Sequence, residues 1–239
     1  MSELILVRHG QASFLADNYD QLSELGIRQA RMLGEFWARI GLQVDEVYCG
    51  TLDRQIHTTR MIGEAFADAG IAFPEPVVMP EFNECQLDIL IKEQMGPLMM
   101  KYEHIREIIA EFSSIENDAQ RFRLYQRAFE AFMDLWVTEE IGSDSVEPWS
   151  AFEQRVGTAV ESVTANKPSG TRIVAVTSGG PSAIAIKRVL ELDTPKALNF
   201  MWTKRNSALT EFLFSNGRMT LSSFNAVPHL HDPALWTYR

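Results

Sequence analysis

Cysteine is scarce in this chain: Cys49 and Cys85 are the only two in 239 residues, and they do not form a C-x-x-C pair. That spacing gives no disulfide framework and no thiolate zinc site, and it fits a reducing compartment. Basic residues are also in deficit, with 22 Lys and Arg against 32 Asp and Glu and a net charge of −10. Such a surface repels polyphosphate backbones, so nucleic acid is not an expected partner. Long apolar runs are missing as well. The longest, such as Leu4 to Val7, fall far short of the ~20 residues a membrane span needs. No charged n-region or cleavage site follows Met1, and no repeat of 20 to 50 residues or low-complexity tract is visible. A cytoplasmic enzyme or small-molecule binding protein, with no membrane partner, is the class that remains. Oligomeric state is not legible.

What the chain does contain is an alternation of short apolar runs and amphipathic stretches. Glu3 to Val7 reads as a buried strand ending in Arg8-His9-Gly10. Ser23 is a helix N-cap for an apolar stripe of Leu25, Met32, Leu33, Phe36, Trp37 and Ile40, closed by Gly41. Val44 to Cys49 repeats the strand, Thr51 the cap, and Leu52 to Ala69 the helix. Val77 to Pro80 is a short third strand leading to Asn83-Glu84.

The rhythm then changes. Leu98 to Ile141 has neither glycine nor proline, and Phe122, Tyr125, Phe129, Phe132 and Trp136 recur at helical spacing as a packing stripe. Residues 91–148 therefore read as a helical insert, which carries 6 basic and 12 acidic residues. The strand pattern resumes after a capping box, Ser150-x-x-Glu153. Arg172 to Thr177 is a central strand running into Ser178-Gly179-Gly180, with a helix expected from Ala183 to Leu192. Ser207 to Phe214 and Met219 to Phe224, joined by Asn216-Gly217, read as a closing hairpin. The expected architecture is a single three-layer α/β domain, a mostly parallel open sheet with helices on both faces, the insert capping the site.

In such a sheet, ligands bind at the carboxyl ends of the strands, where helix N-termini aim N–H groups at anions. The residues that fall there are Arg8, His9 and Gly10, then Thr51 to Arg54, Glu84, and Ser178 with Gly179 and Gly180. Two guanidinium groups, an imidazole, a carboxylate and a glycine pair are the chemistry of phosphoryl transfer. Arginine forks hold oxygens, neutral histidine attacks phosphorus, and a carboxylic acid protonates the leaving oxygen. His57 lies one helical turn beyond Arg54 and reads as a surface or core histidine. His229-x-His231-Asp232 has the composition of a metal site, but Pro228 and Pro233 bracket it as a loop, so no metal or other cofactor is expected. A serine hydrolase using Ser178 with His229 and Asp232 lacks the G-x-S-x-G elbow.

Leu6-Val7-Arg8-His9-Gly10, Leu22-Ser23-x-x-Gly26-x-Arg28-Gln29-Ala30, Leu52-x-Arg54-x-x-His57-Thr58 and Asn83-Glu84 together resemble the histidine phosphatase, or phosphoglycerate mutase-like, superfamily. The resemblance implies catalytic roles for His9 as phosphorylated nucleophile, Arg8 and Arg54 as phosphate clamps and Glu84 as proton donor. Ser178 and Gly179 complete a phosphate-binding edge. It implies a small phosphorylated substrate and a phosphomonoester hydrolase, with a non-catalytic phosphoester-binding protein and a mutase-type phosphotransferase as alternatives. One departure stands out: the family pattern has a histidine directly before the Gly-Gly, and this chain has Ser178. A second is that Gln11 to Asn18 differs from the segment of cofactor-dependent mutases, with Leu15 where asparagine is common.

Overall fold

The computed structural model describes residues 1–13, 20–115 and 117–238; the side chains of Ser113, Asp118, Ala119, Phe122 and Tyr125 are also outside the description. In chain order the elements are β1 (Ser2–Arg8), α1 (Glu24–Arg39), β2 (Glu46–Cys49), α2 (Asp53–Asp68), β3 (Val77–Val78), α3 (Leu87–Lys101), α4 (Glu103–Ser114), α5 (Asp118–Val137), α6 (Trp149–Thr164), β4 (Arg172–Thr177), α7 (Gly179–Leu190), α8 (Thr194–Thr203), β5 (Leu209–Ser215) and β6 (Arg218–Ala226). The chain divides into two compact units, one of Met1–Glu84 with Arg155–Arg239, the other of Cys85–Gln154.

The first unit is built on a six-stranded sheet in the order β3-β2-β4-β1-β5-β6. β1, β2, β3 and β4 are mutually parallel, and the β5–β6 hairpin adds two antiparallel strands beyond β1. The mostly parallel open sheet expected from the alternating pattern is therefore present, with the hairpin at one edge. Its central strands are apolar on both faces because helices cover both. Leu4, Leu6, Ala175 and Phe212 pack against Val160 of α6 and Ile186 of α7. Ile5, Val7, Val174 and Val176 pack on the opposite face against Leu33 and Trp37 of α1 and Ile62 and Phe66 of α2.

Two element starts differ from the sequence expectation. α7 begins at Gly179, four residues earlier than the Ala183 start, because Pro181 falls in the first turn, where its missing N–H has no intrahelical partner to lose. Thr51 does not cap α2. Leu52 occupies the N-cap without a side-chain bond, while the Thr51 amide donates to Asn83 Oδ1 at 2.7 Å.

The second unit is helical. α3 continues through Gly96-Pro97, a pair that in sequence reads as punctuation. Phe132 and Trp136 from the aromatic stripe are buried within this unit, and the Trp136 ring lies 5.3 Å from Trp149 and 5.7 Å from Phe152. These contacts give the unit an aromatic core of its own.

The Leu-Ser-x-x-Gly segment has a steric meaning. Ser23 caps α1 by accepting from the Gly26 amide at 3.1 Å, and its own amide donates to Gln11 O at 2.9 Å. This draws the start of α1 onto the chain leaving β1. A Cβ on Gly26 would stand 2.1 Å from Gln11 O, and one on Gly10 would stand 2.4 Å from Gly26 O. Both neighbours are backbone, so neither side can yield cheaply. Gly26→Ala is therefore expected to destabilise the fold by about 2 kcal/mol or more, the cost of overpacking a rigid contact. A denaturant midpoint equal to that of the parent protein would refute the close-approach account.

Candidate active site

The site grows from the pairing of two parallel strands. Arg8 on β1 is in register with Thr177 on β4, so His9 and Ser178 leave the sheet side by side. The His9 backbone is held from both sides. Its amide donates to Thr177 O at 2.9 Å, and its carbonyl accepts from the Ser207 amide at 3.1 Å and Asn206 Nδ2 at 3.3 Å. Ser207 adopts φ +53° to do this. The His9 ring is 3% exposed, and Nδ1 lies 2.7 Å from Gly10 O. A carbonyl only accepts, so the proton sits on Nδ1 and Nε2 keeps its lone pair. Burial, followed by repulsion from Arg54 and Arg8, holds the His9 pKa well below its ordinary value. The imidazole is consequently neutral at physiological pH.

The two arginines flank this ring. Arg54 is buried in the first turn of α2, and its Nε donates to His9 Nε2 at 3.2 Å. Asp20 fixes that turn by accepting from the Asp53 amide at 2.9 Å, from the Arg54 amide at 3.4 Å and from Arg54 Nη1 at 2.5 Å. A carboxylate at a helix N-terminus meets unsatisfied amides and a favourable dipole. Asp20 thus performs the capping that sequence reading assigned to Thr51. Thr58 ties α2 to the loop after β1, accepting from the Gly10 amide at 3.0 Å and donating to Arg54 O at 2.7 Å. Arg8, also buried, donates through Nη1 to the Lys204 carbonyl.

On the other side stands the start of α7. Glu84 Oε2 accepts from the Gly180 amide at 2.9 Å, so this carboxylate caps the helix that Ser178 and Gly179 open. Ser178 is 1% exposed, and its Oγ accepts from Gln55 Nε2 at 2.9 Å. Gln55 also donates to Phe82 O at 3.1 Å, and Thr177 Oγ1 donates to the same carbonyl at 2.7 Å. The Ser178 hydroxyl therefore retains its own proton to donate.

Arg8, His9, Arg54 and the Ser178 edge are brought together by direct register and hydrogen bonds. Several participants escaped sequence reading. Asp20, Gln55, Asn206 and Ser207 act through contacts distant in sequence, and only the Gln29 within the Leu-Ser-x-x-Gly motif gave a signal. Its buried amide accepts from Gln11 N at 2.9 Å and donates to Leu235 O at 2.8 Å. Lys204 was also missed. It is fully buried, and its Nζ donates to Ser182 Oγ at 2.7 Å. His57 and His231 stand apart from this network, whereas His229 touches it through Ser207. His57 is half-buried on α2. His229 is buried with Nε2 2.8 Å from Ser207 Oγ, whereas His231 and Asp232 are exposed and Asp232 accepts from the Ala234 amide. Ser178 and His229 are each bonded elsewhere, so the serine-hydrolase geometry is not formed. Among the described residues no group of three His, Cys, Asp or Glu side chains is placed to hold a metal ion. Of the mutase-discriminating segment Gln11 to Asn18, residues 14–18, including Leu15, lie outside the described residues.

A mixed α/β sheet with a buried arginine and histidine at the end of β1, and a second buried arginine in the first turn of α2, defines the class of fold. The chain matches the histidine phosphatase superfamily (branch 1) over residues 4–96 and 90–227, and it belongs to that family. Solved structures agree in fold. The α-ribazole phosphatase of Shigella flexneri is 20% identical, covering 94% of this chain and 96% of its own, with a TM-score of 0.62. Phosphoserine phosphatase of Entamoeba histolytica, solved with 3-phosphoglyceric acid, is 18% identical over 96% of this chain and 100% of its own, with a TM-score of 0.62. Phosphoglycerate mutase of Bacillus anthracis is 17% identical over 96% and 95%, with a TM-score of 0.64. A search of curated protein sequences finds no significant match. Among the described residues no helix is long and apolar enough to cross a membrane.

The buried His229 gives a stability test of this scaffold. Burial, the larger cause, and repulsion from His231 lower its pKa from 6.5 to about 3. Below pH 6.5 the unfolded chain binds a proton that the folded chain refuses, so the stability contribution is intact above 6.5 and lost as pH falls toward about 3. The slope is on the order of 1.4 kcal/mol per pH unit at most. His229→Gln is expected to flatten the acid limb of a stability-versus-pH curve, and an unchanged limb would contradict the burial.

Proposed function

We propose that this chain is a phosphomonoester hydrolase that works through a phosphohistidine on His9 Nε2, with a small phosphorylated molecule as substrate. The observation that carries this reading is the pair of contacts on the His9 ring: Nδ1 lies 2.7 Å from Gly10 O, which can only accept, and Nε2 accepts from Arg54 Nε at 3.2 Å. A neutral, pre-oriented imidazole is the form that attacks phosphorus. In this reading the Arg54 N–H passes from Nε2 to an incoming phosphoryl oxygen as the nitrogen lone pair forms the N–P bond. Arg8 holds a second oxygen, and the Ser178 hydroxyl donates to the same group. The P–O ester bond breaks, and its electron pair leaves with the alcohol oxygen, which takes a proton from Glu84. Water then attacks the phosphohistidine, returning its proton to Glu84 and freeing His9 and inorganic phosphate.

A second reading is supported by one contact. The Gly180 amide, which would cradle a phosphoryl oxygen, is bonded to the Glu84 carboxylate. A carboxylate engaged as a helix cap in this way is not poised as a proton donor, which favours a phosphoester-binding protein without turnover. A mutase-type phosphotransferase shares the phosphohistidine and differs in passing the group to a second substrate rather than to water.

The readings separate in an aryl phosphate assay. Turnover in the parent is expected to drop by about 10³-fold or more in His9→Ala, with phosphate still raising the melting temperature of both. Glu84→Gln is expected to slow hydrolysis and to accumulate acid-labile phosphoenzyme. Phosphate binding without any turnover in the parent would select the binding-protein reading instead.

The pH profile supplies a further check. Because burial and the neighbouring arginines hold His9 neutral, kcat/KM is expected not to fall as pH drops through 6.5. A loss of activity with a midpoint at 6.5 would show instead that His9 titrates as an ordinary exposed imidazole.

A further inference from the structure

Lys204 is fully buried, follows α8 directly and makes no ion pair among the described residues. Its ammonium has three N–H donors, and only one is used, in the 2.7 Å bond to Ser182 Oγ. Ser182 in turn donates to Ser178 O at 2.8 Å, so the ammonium is two hydrogen bonds from the Ser178 main chain. The Lys204 carbonyl accepts from Arg8, which brings the residue against the proposed phosphate clamp from a second direction.

Each of these surroundings opposes a positive charge. Burial is the largest cause lowering the Lys204 pKa well below its ordinary value, and repulsion from Arg8 adds to it. The ammonium also sits against the first turn of α7, the positive end of that helix dipole. Its field reaches His9, whose pKa it helps to lower. A buried methionine or leucine would cost the fold less at this position than a lysine without a counter-ion. An arrangement that costs stability in the protein alone has its physical sense in what compensates it.

We propose that Lys204 is a third cation of the anion site, its charge balanced by a bound phosphoryl dianion rather than by a carboxylate of the protein. The proposal rests on the phosphoester reading of the strand-end site and deepens it. Arg8 and Arg54 supply guanidinium groups at the end of β1 and the start of α2. Lys204 adds an amino group beneath the start of α7 that an anion would hold in its charged form, where Ser178 brings a hydroxyl and no charge. Anion binding then reverses all three penalties at once: it pairs the ammonium, offsets Arg8 and complements the helix dipole.

The test uses Lys204→Met, which removes the charge at similar volume, and Lys204→Gln, which keeps a donor for Ser182 without the charge. Melting temperature and inorganic phosphate affinity are measured for parent and variants. The expected result for Met is a melting temperature about 2–4 °C above the parent without phosphate. Both variants should bind phosphate about ten-fold more weakly or worse. Parental phosphate affinity in both folded variants would overturn the proposal while leaving the phosphoester reading intact. A Met variant that loses stability, with Gln restoring parental stability and affinity, would also overturn it, making Lys204 a structural donor to Ser182. Failure of the parent itself to respond to phosphate would overturn this proposal and the phosphoester reading together.

Discussion

The way the chain leaves β1 constrains everything at the strand ends. His9 has its amide tied to β4, its carbonyl to the Asn206-Ser207 segment and its ring to the next carbonyl. No torsion of consequence is left free, so Nε2 points one way. That rigidity depends on the close contact between the Gly10 and Gly26 backbones, which lets α1 press on the loop without a side chain intervening. On the phosphohistidine reading, preorganisation of this kind would remove the entropy of finding a reactive geometry from the chemical step.

The same loop distributes its constraint to distant parts of the first unit. Gln29 links Gln11 to Leu235 and also donates to Thr237 Oγ1 at 2.9 Å. Thr237 donates through its hydroxyl to Asn206 Oδ1, and its carbonyl accepts the Asn206 amide. Asn206 then holds His9. A closed circuit of hydrogen bonds thus runs from the start of α1 through the C-terminal segment and back to the histidine, and every member is buried or partly buried. In a low-dielectric interior such a circuit is stiff when complete and costly when any member is lost.

The sequence made the sheet legible because its strands are short apolar runs between capped helices, a period change that packing on two faces imposes. It also exposed Arg8, His9, Arg54 and Ser178, since each follows directly on a strand or opens a helix. Asp20, Gln55, Asn206 and Lys204 were hidden for a physical reason. Their partners, Arg54, Ser178, His9 and Ser182, are respectively 34, 123, 197 and 22 residues away. A polar residue whose partner arrives only through tertiary folding leaves no local periodicity or cap behind it. The early start of α7 was hidden differently: Gly179-Gly180-Pro181 reads as turn punctuation, and only Glu84 on the Gly180 amide shows where the helix begins.

Charge is arranged on two length scales. The chain as a whole carries −10, yet the strand-end site gathers two buried arginines, a buried lysine and a histidine held neutral. Beyond a Debye length of about 8 Å at physiological ionic strength the acidic surface is largely screened. Where these side chains are buried, each positive charge acts at a far lower effective dielectric. On the phosphoester reading, a phosphoryl dianion would be discouraged weakly at a distance and attracted strongly on contact, where β1, α2 and the start of α7 converge. On the phosphoester reading, the same buried cations that cost the fold stability would make an anion at the strand ends favourable, which would tie the stability of the first unit to that ligand.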